Sequence, residues 1–391
     1  MVTLRHPNQP TYLLLGIILV AATLRPTITS VGPLIPMIRS DLGLSNGLAG
    51  FLTTLPLLTF ATFSLFSAAI GRRMGYARAI LLGMIIIGVG ILLRVTGGPV
   101  LLFLGTGLTG IGIVICNVLL IPLVKVRMPG KVGKITGIYA TVMTLVAAIA
   151  SAVSVPLAVD LGLGWRGSLV AWIMLLATAI LVWLPQVKPQ KAVTQSPQNS
   201  PIVNVWKSKL AWQVSLFMGV QSLLFFTLIT WLPGLFIARG VSPVNAGLIL
   251  SLMQLVALIG TFLAPIIAVR FRAQSRMILV LGGCYLVGFG LLFSTSIAWN
   301  IGGLCLSGLC MGASLSMAYT LITLRTANDR TTAALSGMAQ STGYYLAALG
   351  PVLFGVAMDQ WQDWDHLIYL VLITSLFFAG FGYFAGKNKK V

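Results

Sequence analysis

One arginine, Arg25, lies deep inside an apolar stretch, and its side chain offers a definite chemistry. A guanidinium keeps its proton in proteins. Its planar fork suits bidentate binding of a carboxylate, a nitro group or a similar flat anion. A charge at such depth in a hydrocarbon layer costs several kcal/mol by most measures, so it marks a pathway or a ligand. Further polar groups fall within other apolar stretches: Thr53, Asn117, Tyr139, Gln221, Gln254, Tyr319, Gln340 and Tyr344. Counted at 1.5 Å per helical residue from the cytoplasmic edge of each stretch, the side that collects most of the basic residues, Arg25 lies at roughly 20 Å. Thr53 and Gln254 lie at roughly 22–25 Å, and Gln221 and Tyr344 at roughly 15–18 Å. Asn117, Tyr139, Tyr319 and Gln340 sit lower, at roughly 8–12 Å. Such a set can line a pocket that holds a small polar solute. Each member also has a plainer use: Arg25 as a brace on helix carbonyls, the amides as interhelical hydrogen-bond partners, the tyrosines as core aromatics.

What is missing is equally informative. No Asp, Glu or His stands in the middle of any apolar stretch, so the chain offers neither a nucleophile–base pair for an enzyme nor a carboxylate relay for protons. All six acidic residues lie at stretch ends or in loops. The four cysteines, Cys116, Cys284, Cys305 and Cys310, show no metal-ligand spacing and read as small core residues. His6 and His366 sit near a terminus and at a boundary. No cofactor or metal is implied.

The elements that must position these groups are membrane helices. The chain has 391 residues, 58% hydrophobic and 8% charged, with mean hydropathy +0.99. Soluble domains carry about 25% charged residues. About twenty apolar residues cross a bilayer core, and the pattern predicts twelve spans: 11–36, 47–70, 79–97, 99–124, 135–159, 166–185, 211–236, 243–269, 277–296, 298–324, 332–357 and 366–386. The first is too long for a cleavable leader. Pro26, Pro33, Pro56, Pro122, Pro156, Pro233, Pro265 and Pro351 lie in or near the ends of these spans, where they mark bends.

The net charge of +19 is topological and excludes nucleic acid as the explanation. Arg5; Arg72, Arg73, Arg78; Lys125, Arg127, Lys131, Lys134; Lys188, Lys191, Lys207, Lys209; Arg270, Arg272, Arg276; Arg325, Arg330; and Lys387, Lys389, Lys390 fall on one side. Only Arg39, Arg94, Arg166 and Arg239 fall on the other, with five of the six acids. Positive-inside bias therefore predicts both termini in the cytoplasm. Arg94, near an outer span end, is expected to snorkel to the headgroups.

Residues 186–209, rich in Gln, Ser and Pro, read as a flexible linker. They divide the chain into six-helix bundles at 1–185 and 210–391. The halves echo one another at an offset near 200: Gly107–Gly112 with Gly308–Gly312, Gly137 with Gly337, and Ala49-Gly50 with Ala246-Gly247. Parallel repeats are expected.

Several blocks carry a family resemblance: Thr23-Leu24-Arg25-Pro26, Thr29-Ser30-Val31-Gly32-Pro33-Leu34, Leu52-Thr53-Thr54-Leu55-Pro56-Leu57-Leu58, Asn117-Val118-Leu119-Leu120, Trp231-Leu232-Pro233, Leu335-Ser336-Gly337-Met338-Ala339-Gln340-Ser341, Gly343-Tyr344 and Gly350-Pro351. Across its whole length the chain resembles the major facilitator superfamily and, within it, the bacterial cyanate and 2-nitroimidazole transporters. One departure stands out. The loop Gly71-Arg72-Arg73-Met74-Gly75-Tyr76 lacks the aspartate usual in the superfamily, so the gating ascribed to that residue does not carry over.

The resemblance implies a twelve-helix all-α fold in two pseudo-symmetric bundles and a bacterial inner membrane. It also implies alternating-access transport of a small anionic or strongly dipolar nitrogen-containing solute, with Arg25 as the binding charge. Efflux of nitro-heterocyclic or other aromatic compounds is the alternative, and an anion channel a remote one. The partners expected are the solute and the lipid bilayer, with a co-travelling proton or other ion left open. A monomer suffices.

Overall fold

The computed structural model describes residues 9–128, 131–187, 204–268, 270–327 and 329–391. His6, Arg5, Lys188, Lys191 and most of the 186–209 linker lie outside the described residues. Among the described residues twelve helices are long and apolar enough to cross a membrane, and no strand forms. Lipid offers the backbone no hydrogen bonds, so continuous helices are the expected solution.

The first span is built in three pieces, α1 (Gln9–Leu24), α2 (Pro26–Thr29) and α3 (Val31–Leu42). It runs further than the expected end at 36. The helices α4 (Asn46–Met74), α5 (Tyr76–Val95), α6 (Pro99–Arg127) and α7 (Val132–Val159) follow. The sixth span is split into α8 (Gly164–Val170) and α9 (Trp172–Trp183). The later spans are α10 (Lys209–Ala238), α11 (Pro243–Ala268), α12 (Ser275–Gly290), α13 (Ile297–Leu324), α14 (Asp329–Trp361) and α15 (Asp365–Ala385). Local sequence sets several boundaries. Pro99 and Pro243 open α6 and α11, where the missing N–H costs nothing. Ser208 accepts from the Ala211 N–H at 3.3 Å to cap α10. Gly75 turns α4 into α5 in one residue at φ 84°, a conformation that favours glycine.

Packing groups the chain into two compact units. One comprises Met1–Val31 with Thr62–Gln195, the other Gly32–Ala61 with Ser196–Val391. Within the second unit, α3 and the first half of α4 pack with α10 and α14. Backbones touch there. A Cβ on Gly32 would strike the Ile229 carbonyl, one on Gly50 the Pro351 carbonyl, and one on Gly355 the Asn46 carbonyl. Thr54 Oγ1 donates to the Ala348 carbonyl at 2.8 Å, and Trp231 Nε1 to that of Pro351 at 2.9 Å. Asp359 closes the end of this contact: its Oδ1 accepts from the Asn46 N–H and Nδ2 at 2.7 and 2.8 Å, and its Oδ2 from the Gly47 N–H at 2.7 Å.

Each unit contains a glycine seam. In the first, Gly90 of α5 abuts Gly105 and Thr109 of α6. In the second, Gly288 of α12 abuts Gly303 and Ser307 of α13. Gly90 and Gly288, Gly105 and Gly303, and Thr109 and Ser307 are all separated by 198 positions. This corrects the register of the expected repeat, which paired glycines of the fourth and tenth spans at offsets nearer 200. Small side chains bring helix backbones together, and packing rather than hydrophobicity holds helices in lipid.

Candidate functional site

The first span is interrupted where the chemistry was expected. Pro26 follows Arg25, and its ring cannot donate to the helix ladder. The Ala22 carbonyl loses its usual donor, and the chain re-enters the helix with the Arg25 carbonyl accepting from the N–H groups of Ile28 and Thr29, both at 3.0 Å. From Val20 to Ile35 every residue is buried except Arg25, which is partly exposed. Its flanks are sealed: Leu24 has no exposure, and Thr29 Oγ1 donates to the Ala147 carbonyl of α7 at 3.1 Å. Arg25 is therefore the one partly exposed residue in an otherwise buried stretch.

The other expected site residues divide between the units. With Arg25 in the first unit are Asn117 of α6 and Tyr139 of α7, and the Tyr139 hydroxyl donates to Asn117 Oδ1. Tyr139 is buried and Asn117 partly exposed. The second unit holds Thr53, Gln221, Gln254, Tyr319, Gln340 and Tyr344. Thr53 is buried, donating to the Gly50 carbonyl and accepting from Thr230 Oγ1, both at 2.9 Å. Those bonds give it a structural use between α4 and α10. Gln221 Nε2 donates to Ser222 Oγ at 2.7 Å, and Gln340 Nε2 to Ser336 Oγ at 2.9 Å. Gln254 is buried on α11, with its Nε2 3.4 Å from the Leu250 carbonyl. Tyr344 joins an aromatic group, its ring 5.2 Å from Phe60 and 6.4 Å from Phe226. Tyr319 is exposed on α13.

One expectation is overturned. Arg94 does not reach the headgroups: it is 1% exposed, and its Nη1 donates to the Thr27 carbonyl at 2.8 Å. The α5–α6 seam turns its stem inward, because Gly105 lets α6 approach it; a Cβ there would lie 2.7 Å from the Arg94 nitrogen and 2.8 Å from its Cγ. Sequence analysis placed Arg94 at a span end and missed it. The signal that could have found it is the glycine pair, Gly90 and Gly105.

A second pair of arginines closes the ends of the units. Arg127 of α6 donates to the Gln186 side-chain oxygen at 2.8 Å and to its carbonyl at 2.9 Å. Arg325, which follows α13, donates to the Ala385 and Gly386 carbonyls at 3.1 and 2.9 Å and to the Gln274 side-chain oxygen. The two arginines are again 198 positions apart. Burial lowers the Arg325 pKa, yet a guanidinium stays charged at neutral pH.

Twelve apolar helices, a broken first span and repeated helix hairpins define a polytopic membrane transporter, not an enzyme. The comparisons with known proteins agree: the model of the Major Facilitator Superfamily matches residues 17–351, and the chain belongs to that family. It is 42% identical over 391 residues to the uncharacterized transporter YycB of Bacillus subtilis, covering 99% of this chain and 97% of that one. It is 38% identical over 383 residues to the 2-nitroimidazole transporter of Escherichia coli, covering 97% and 96%. With the cyanate transport protein CynX of Escherichia coli it shares 26% identity over 379 residues, covering 94% and 97%.

Proposed function

We propose that this transporter carries a small anionic or strongly dipolar nitrogen-containing solute, of the cyanate or 2-nitroimidazole kind, across a bacterial inner membrane. It does so by alternating access of two six-helix bundles, 1–185 and 210–391, with Arg25 supplying the solute-binding charge. The observation that carries this reading is that Arg25 alone, between Val20 and Ile35, is partly exposed, at a break in its own helix. Interrupted helices are where transporters of this general kind bind substrate. The names of the relatives support the solute class. Asn117, Tyr139, Thr53, Gln221, Gln254, Tyr319, Gln340 and Tyr344 complete the proposed solute path, with Thr53 the most committed to structure.

Arg25 binds the solute and does not relay protons. Importing one anion against an inside-negative 100 mV costs about 2.3 kcal/mol, so uptake requires a cation to accompany the solute, while export or exchange does not. A pH-jump assay showing stoichiometric proton uptake at saturating substrate, lost in Arg25→Lys, would overturn the passive role.

The first test is thermal unfolding of the purified full chain with cyanate, nitrite, small carboxylates and 2-nitroimidazole, beside Arg25→Ala. A solute at one hundred times its Kd adds about 2.7 kcal/mol. Stabilisation of the parent, absent in Arg25→Ala, is expected for the true class. Equal stabilisation of both proteins would move the site away from Arg25.

A further inference from the structure

Arg94 brings a fixed positive charge into the interior of the first unit, and one of its three nitrogens accounts for its only hydrogen bond among the described residues. Its Nε and Nη2 are buried with no protein partner. The hydroxyls of Thr27 and Ser30, residues 5% and 0% exposed, are likewise buried and without a partner. Arg94 and the two hydroxyls meet at the same turn of the first span. Nη1 of Arg94 is bonded to the carbonyl of Thr27, and Thr27 and Ser30, three residues apart around the α2 turn, share a helix face. The opposite face of that turn is already used by α7, where Thr29 Oγ1 donates to the Ala147 carbonyl and Ser151 Oγ donates to that of Thr29 at 3.3 Å.

Among the described residues Arg94 takes part in no ion pair, and its hydrogen bond goes to a backbone carbonyl. No carboxylate therefore neutralises Arg94. A water could meet the hydrogen-bonding demand but would leave the charge uncompensated in a low-dielectric interior, where unpaired ions are strongly disfavoured. Two guanidinium nitrogens of a cation with two hydroxyls at the same turn are the recognition chemistry of an anion.

Nor does helix packing ask for the arginine. In the second unit the equivalent position, 198 residues on, is Leu292, which is fully buried. Room for the guanidinium stem comes from Gly105, whose Cβ would collide with it.

We infer that Arg94, Thr27 and Ser30 form a buried binding site for a small monovalent anion, a halide or a two- to three-atom nitrogen anion such as nitrite or cyanate. The bound ion balances Arg94 and fastens the broken turn of the first span to α5. The site stands on its own observations and does not require that Arg25 bind solute.

The test uses the full chain in detergent, exchanged into gluconate buffer and titrated with chloride, bromide, nitrite or cyanate while thermal unfolding is followed. With chloride or bromide, which the Arg25 site is not proposed to carry, the parent protein is expected to show a saturable rise in Tm of several degrees, and Arg94→Gln none. The double variant Thr27→Val/Ser30→Ala, which keeps the charge, is expected to need at least tenfold more anion for half the effect. A response to halides at concentrations equal to or below those of the nitrogen anions identifies a resident inorganic ion. A response to nitrite or cyanate at tenfold lower concentration identifies the transported solute as the occupant. No anion response in the parent would overturn the site, as would an undiminished response in Arg94→Gln. Should Arg94→Gln fail to fold, the double variant decides alone, and a response equal to the parent's overturns the proposal.

Discussion

The hairpin of α5 and α6 and the hairpin of α12 and α13 use the same seam of glycines with a hydroxyl, yet they part company at one position. Where the first buries Arg94, the second buries Leu292. Leucine fills the equivalent position with no polar demand at all. The arginine must therefore answer to something other than packing, since burying its charge is costly and nothing in the seam repays it. The hairpins also resemble each other at their far ends. Arg127 and Arg325 both bind the end of the last helix in their unit, but the second is deeper and makes the larger set of bonds. The two hairpins are alike in their glycine contacts and divergent in their buried charge.

The sharpest way to break the comparison is to write the first hairpin's charge into the second. Leu292→Arg would place an uncompensated cation in the core near Arg239, which donates to the Leu292 carbonyl at 2.7 Å. A loss of about 3–5 kcal/mol is expected, read as a large fall in Tm or in the yield of monodisperse protein. The two closing arginines should rank by burial. Hydrogen bonds to charged groups contribute about 1.5–3 kcal/mol each, so Arg325→Ala is expected to cost about 3 kcal/mol and the half-buried Arg127→Ala about half that, by parallel thermal melts. The reverse exchange has the smallest effect. Arg94→Leu, in low-anion buffer, should change stability by less than about 1 kcal/mol, because a charge is replaced by an apolar group of comparable reach. A loss as large as that of Leu292→Arg would show that Arg94 is an indispensable brace.

Much of this architecture was legible in the sequence. The twelve spans follow from hydrophobic length, and Pro26 marked the break at Arg25 because proline cannot continue a helix ladder. Arg94 was misread for a physical reason: distance from a span end measures depth along one helix, whereas exposure depends on what the neighbouring helix leaves open. The repeat register slipped for a related reason. Matching letters favoured Gly107–Gly112 with Gly308–Gly312, while the contacts equate Thr109 with Ser307, residues alike in size and hydroxyl but not in name. The grouping of Gly32–Ala61 with α10 and α14 was beyond the sequence, since it joins residues some three hundred positions apart, such as Asn46 and Asp359, through contacts that no local pattern records.

Where α3 and α4 meet α10 and α14, carbonyls of Ile229, Pro351 and Asn46 occupy the places that side chains on Gly32, Gly50 and Gly355 would need. A single methyl group there is a wedge. It raises the energy of the arrangement in which those backbones touch and leaves untouched any arrangement in which they stand apart. Three hydrogen atoms thus set how closely these backbones approach, and a one-carbon addition at any of them turns contact into collision that the surrounding helices must move to relieve.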